Sequence, residues 1–241
     1  MLREAIEKIA EMAGVKTIEA DGKVYSDSAV YEVRPELDLP KTKELTSLDA
    51  LAKMVKTEAA EVLGIKPLFI TVSKYDEVNC FTAIDQSRRN ERVILYTVHA
   101  TDVPGWGDSK LGFEQAQIAL QTRFQQTPDR DYTLRLCSQI TCGGKVTYND
   151  NGVATSIVTQ KGVALQGAET IKPLVKLKPF RTFQEVDQPE SLFLIRVDER
   201  GISFIEADGG MWKLTARQTI KAFLEDALKD MVEDGRVVIA L

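Results

Sequence analysis

The stretch "LFITVSKYDEVNCFTAIDQSRRNERVILYTV", residues 68–98, decides the fold class. It reads as three strands, "LFITVS", "VNCFTAI" and "RVILYTV", rich in β-branched and aromatic residues. Tyr75-Asp76 and "DQSRRN" separate them, breaks too short for crossover helices, so the economical topology is an antiparallel meander. The third strand is apolar on both faces (Val93 and Leu95; Ile94, Tyr96 and Val98). That pattern predicts a central strand covered by helices.

Upstream, a helix opens at Thr46 or Ser47, where Thr46 and Asp49 have capping-box spacing. Leu48, Leu51, Ala52, Val55, Ala59 and Val62 form its apolar stripe, and Gly64 ends it. Before it, Leu2, Ala5, Ile6, Ile9, Ala10 and Ala13 repeat at helical spacing up to Gly14. Asp21-Gly22 then signals a hairpin, and "RPELDLPKTKEL" reads as a linker. Downstream of the meander, the loop "VPGWGDSK" leads to a helix with Phe113, Ala116, Leu120 and Phe124 on one face. "TPDRD" starts another, with Thr127 as its cap and Pro128 in its first turn.

The second half turns to β-structure. Asn151-Gly152 marks a hairpin between alternating strands. "IKPLVKLKPF" and "SLFLIRVDERGISFIEADGGMWKL" supply further strands that turn at Gly201 and at Gly209-Gly210. A helix capped by Thr215 follows, burying Ile220, Phe223, Leu224, Ala227, Leu228 and Met231 before Gly235, and "RVVIAL" closes as a strand. The expectation is an α+β fold: largely antiparallel sheets, an N-terminal meander and a C-terminal β-rich half, covered by four or five amphipathic helices. The expected divisions are a helix-hairpin arm and linker over 1–45, an α+β half over 46–140, and a β-rich half over 141–241.

The chain has 241 residues, 44% of them hydrophobic and 28% charged, values ordinary for a globular protein. No apolar run approaches the roughly 20 residues that span a bilayer, and "MLREAIEKIAEMAG" is amphipathic rather than signal-like, so a cytoplasmic protein is expected. A net charge of −5 argues against coating nucleic acid with the whole surface, while leaving room for a local basic groove. Cys80, Cys137 and Cys142 cannot all pair, and the C-x4-C spacing of the last two has no second pair to complete a zinc site.

No spacing forms a catalytic signature. His99 is the single histidine, at a strand end, and no nucleophile elbow or phosphate loop accompanies it. Asp85 with Asp108-Ser109-Lys110 has the letters of a metal-dependent nuclease, but the second group lies in a glycine-rich loop. Trp106 in "PGWG" reads either as a lid or as a plug at the core edge. No cofactor, catalytic residue or metal ligand is assigned.

A basic stripe is the remaining candidate. In "KPLVKLKPFR", Lys172, Lys176 and Lys178 share one strand face with Leu174 and Phe180, bracketed by Pro173 and Pro179 as on an edge strand. Such lysines either guard an edge against aggregation or bind an anion. In the ligand reading, "KPFRTFQEVDQPES" (178–191) leads into a site for an anionic planar nucleotide. Lys176, Lys178 and Arg181 hold phosphate, Phe180, Phe183 or Trp212 stacks a base, and Glu185 and Gln188 read its edges. In the rival reading, Arg181 pairs with Glu185, the phenylalanines fill the core and Pro189 opens the next strand.

"PFRTFQEVDQPES" and "FLIRVDERGISFIEADGGMWKLTA", with "LTSLDALAKMVK", "VILYTVHATDVPGW" and "TPDRD", resemble proteins of phages and prophages that are distantly similar to the YfdQ-like group. The likeness spans about residues 46–241, and no catalytic residue comes with it. It implies a phage product working in the bacterial cytoplasm. The expected function is a non-enzymatic binding protein that counters host defence by sequestering a nucleotide signal or holding a defence protein. The alternative is an accessory of phage recombination or replication that binds single-stranded DNA or a partner protein. A homo-oligomer is expected, through sheet edges or an exchanged N-terminal arm.

Overall fold

A computed structural model describes residues 4, 7, 8, 11, 17–26, 40–59, 67–84, 92–107, 109–142, 145–150, 155–161, 164–198 and 200–241. Two compact units divide the chain, residues 1–39 and 40–241. In the first, β1 (Thr17–Ala20) and β2 (Lys23–Ser26) pair antiparallel. Asp21 and Gly22 both carry positive φ, 52° and 72°, as the two-residue turn between twisted strands demands. The expected N-terminal helix lies mostly outside the described residues.

The second unit begins with β3 (Lys43–Leu45), inside the segment read as a linker, and α1 (Leu48–Met54), which widens into a π-helical turn over Val55–Ala59. Ser47, not Thr46, caps α1, its hydroxyl accepting from the Ala50 N–H at 3.0 Å. The meander follows as β4 (Leu68–Lys74), β5 (Glu77–Thr82) and β6 (Ile94–His99), antiparallel throughout. The sheet order, β14-β4-β5-β6-β3, puts β5 in the centre. β6 is an interior strand as expected, flanked by β5 and by the parallel β3, but Ile94 at its start is exposed rather than covered.

Next come β7 (Ser109–Leu111), α2 (Phe113–Thr122) and α3 (Pro128–Cys142). The Thr127 hydroxyl accepts from the Arg130 N–H at 3.1 Å, so the expected cap is in place. A separate meander, β8 (Lys145–Asp150), β9 (Thr155–Lys161) and β10 (Ala164–Thr170), surrounds the predicted Asn151-Gly152 turn, which lies outside the described residues. Then β11 (Leu174–Leu177), β12 (Ser191–Asp198) and β13 (Gly201–Glu206) form, with β7, an antiparallel sheet of order β11-β12-β13-β7. The chain continues into α4 (Met211–Ala227), α5 (Lys229–Glu233) and β14 (Val237–Ala240), which pairs parallel with β4.

"MWKL" is therefore not strand but the first turn of α4, entered from left-handed Gly210 rather than capped by Thr215. The class is α+β: mostly antiparallel sheets, with helices packed against the five-stranded and the four-stranded sheet. Leu51, Ile70, Val78, Ile220, Leu224 and Val237 are among the residues buried under the five-stranded sheet. Leu120, Phe124, Leu136, Val175, Phe193 and Phe204 belong to the core between α2, α3 and the four-stranded sheet. The two halves expected either side of residue 140 exchange strands, since β7 joins the second sheet and β14 the first.

Asp129 in the first turn of α3 ties that helix to edge strand β11. It accepts from Lys172 Nζ at 2.8 Å and from the Lys176 backbone N–H at 2.7 Å. Burial by itself would raise its pKa, but these two donors and the nearby lysine charges outweigh that and hold the carboxyl below its usual value. Its contribution is thus complete above about pH 4, the unfolded value, and fades as pH falls through the lower folded value. Asp129→Ala is expected to destabilise by about 2 kcal/mol at pH 7. Denaturant titrations should show that gap closing as pH falls below the usual carboxylate range, and a gap constant with pH would contradict the account.

Candidate functional site

Residues 178–191 form the joint between the two sheets. On the four-stranded side, the Arg181 guanidinium is buried, the residue being 4% exposed. Its Nη1 meets Glu206, its Nη2 meets Ser191 Oγ, and its guanidinium carbon lies 3.8 Å from the Trp212 ring centre. Trp212 Nε1 donates to the other Glu206 oxygen at 3.2 Å, so one carboxylate holds both groups. Burial pulls the Arg181 pKa down, against Glu206 and Asp208, which favour the charged form.

On the five-stranded side, the Thr182 hydroxyl donates to the Tyr75 carbonyl in the β4–β5 turn, and Tyr75 packs at 4.7 Å against Trp212. Glu185 Oε1 accepts from the Leu48 N–H at 2.8 Å, satisfying a free donor at the start of α1. Gln184 Nε2 donates to the Asp102 carbonyl at 2.8 Å. Gln188, 2% exposed, holds the bend itself. Its Oε1 accepts from the Arg181 and Thr182 N–H groups, and its Nε2 donates to the Phe183 carbonyl at 2.9 Å.

The charged residues expected to hold a nucleotide thus already pair with protein groups, although Arg181 Nε is buried without a partner among the described residues. Lys176 pairs with Glu190 at 3.2 Å, Lys178 with Asp187 at 2.8 Å, and Lys172 with Asp129. Phe183 is a core side chain at 1% exposure, and Phe180 is half-buried with its N–H on the Arg123 carbonyl. Arg181 and Trp212 do come together, but around Glu206 rather than around open space. Of the rival reading, the core phenylalanine is present. The arginine's acid is Glu206, not Glu185.

A different concavity lies on the far side of α2. A groove of about 500 Å3 runs between the loop Gly105–Gly107, β7 and the α2 face of Gln115, Ile118, Ala119 and Thr122, with Arg123 also lining it. Trp106 packs edge-on against Phe124 at 4.7 Å and Phe204 at 5.6 Å. Its Nε1 and the Ser109 hydroxyl are buried and have no hydrogen-bond partner among the described residues. Ile118 is 56% exposed. The sequence flagged Trp106 as lid or plug. It gave no sign that the indole N–H would lack an acceptor, because that follows from long-range packing.

The remaining sequence candidates have quieter surroundings. Cys80 and Cys137 are buried and not joined in a disulfide, and burial pushes both pKa values up to about 12, so they stay protonated. His99 ends β6 opposite Glu77, whose carboxylate already meets Lys74 at 2.7 Å and Asn79 at 2.9 Å. Asp85 and Asp108 lie outside the described residues, and Lys110 pairs with Asp198 at 2.5 Å. Among the described residues, no helix is long and apolar enough to cross a membrane. No family model, curated protein or solved structure matches this chain.

Proposed function

We propose that the protein acts by binding rather than by turnover, and that its ligand occupies the groove between the Trp106 loop and α2. One observation carries this reading: Trp106 and Ser109 line that groove, and their buried Nε1–H and Oγ–H groups have no partner among the described residues. An unpaired buried donor costs about 1–3 kcal/mol, so natural structures seldom keep two beside one opening unless something else satisfies them. The volume lies within the range of small-molecule pockets. Together with the phage kinship suggested by the sequence, it supports a protein that sequesters a small host-defence signal in the bacterial cytoplasm.

Ligand-observed NMR against a fragment library tests the reading, with Ile118→Glu as the blocking variant. That side chain is exposed, so the variant is expected to melt like the wild type while losing the hits. Hits that survive Ile118→Glu, or no hits at all, would remove the groove from consideration. Multiple-turnover hydrolysis of any nucleotide or DNA with Mg²⁺, Mn²⁺ or Zn²⁺ would remove the non-enzymatic claim.

A further inference from the structure

We infer that the groove takes a small organic anion: an acceptor-rich, negatively charged head joined to a compact planar or apolar body. This rests on the groove being the binding site and adds the chemistry of what fills it. The donors decide the head. An indole N–H can donate and never accept, and a guanidinium offers five donors and no acceptor. Trp106 and Arg123 line one groove with the Ser109 hydroxyl, which can also donate. Arg123 is exposed. Trp106 and Arg123 also sit toward the same end of α2, since Trp106 packs on Phe124, the residue after Arg123. A cation or a donor-rich neutral ligand would leave these groups unanswered. A carboxylate or phosphate oxygen answers them with charge-assisted bonds.

The rest of the lining decides the body. Leu111, Ile118 and Ala119 give it an apolar wall. Positions 115 to 122 cover two turns of α2, about 10 Å of helix, enough for a head group and one or two rings. The two unpartnered atoms belong to residues that line the groove and are themselves buried. Contact with a ligand therefore requires the Trp106 ring to turn, which the Trp106 indole signal reports directly.

The test uses the full chain labelled with ¹⁵N, whose two indole N–H signals are told apart by Trp106→Phe. The probes are nucleoside monophosphates, aryl carboxylates and neutral adenosine. The expected result is that an anionic probe moves the Trp106 signal downfield and leaves the Trp212 signal in place. Which anionic arm binds assigns the head as phosphate or carboxylate. Trp106→Phe and Ser109→Ala should each weaken binding about tenfold. Arg123→Gln should do the same and flatten the salt dependence. Ser109→Ala and Arg123→Gln should leave the melting temperature in place, because they remove an unpartnered hydroxyl and an exposed side chain, whereas Trp106→Phe also gives up ring packing on Phe124 and Phe204 and is judged on binding alone. If adenosine binds as tightly as its monophosphate, the anion class fails and the groove survives. If no probe moves the Trp106 signal at millimolar concentration, or if Ser109→Ala or Arg123→Gln melts several degrees lower, the inference is overturned.

Discussion

Arg181→Ala is expected to lower the melting temperature by about 10 °C. Its guanidinium is sealed between Glu206, Ser191 and the face of Trp212, and removing one member of such a buried pair typically costs about 3–5 kcal/mol. For a unit of roughly this size, each kcal/mol shifts the transition by about 2–4 °C. Alanine also leaves a void beside Phe193, whose ring centre lies 5.8 Å from the guanidinium carbon. Arg181→Met separates the contributions: it fills most of the space and restores none of the charge, so it should recover less than half of the loss. A melting temperature within about 2 °C of wild type for Arg181→Ala would contradict the joint described here, and nucleotide binding lost in that variant at unchanged stability would revive the loop as a ligand site.

Gly201→Ala should be at least as damaging, for a backbone reason. Gly201 has φ of 144°, a region that side chains rarely adopt, and an added Cβ would fall 2.0 Å from the Leu111 carbonyl oxygen. That contact is with backbone, so no rotamer change relieves it. To make room, β7 must leave β13, and with it the start of α2. The expected cost is about 4 kcal/mol or more. Thermal melts measure the total, and hydrogen exchange should show lost protection at the amides of Ser109–Leu111 first. A variant with wild-type protection in β7 would sink the account.

Local signals carried most of the elements and little of their assembly. The meander, the Thr127 cap, the edge character of β11 and the turn at Asp21-Gly22 are written in neighbouring residues, and the structure has them. The start of α4 was misread because its cap is a left-handed glycine with no side-chain hydrogen bond, leaving the next plausible capping side chain, Thr215, as the apparent signal. The parallel pairing of β14 with β4 has no turn to announce it. The same limit governs the joint. Glu185 lies four residues from Arg181 and looked like its partner, while Glu206 is reached only after a complete β-hairpin, β12–β13.

The placement of β14 beside β4 also sets an order of events during synthesis. When β4, β5 and β6 leave the ribosome, the β4 edge has no neighbour, and Leu68, Ile70 and Val72 lack the helix that later covers them. The whole four-stranded sheet must be translated before α4 and β14 arrive. The layer begun first is therefore the layer completed last, and a nascent chain halted after β13 presents an open strand edge and an uncovered apolar face. Chaperone capture of stalled chains should accordingly be strongest just before α4 emerges.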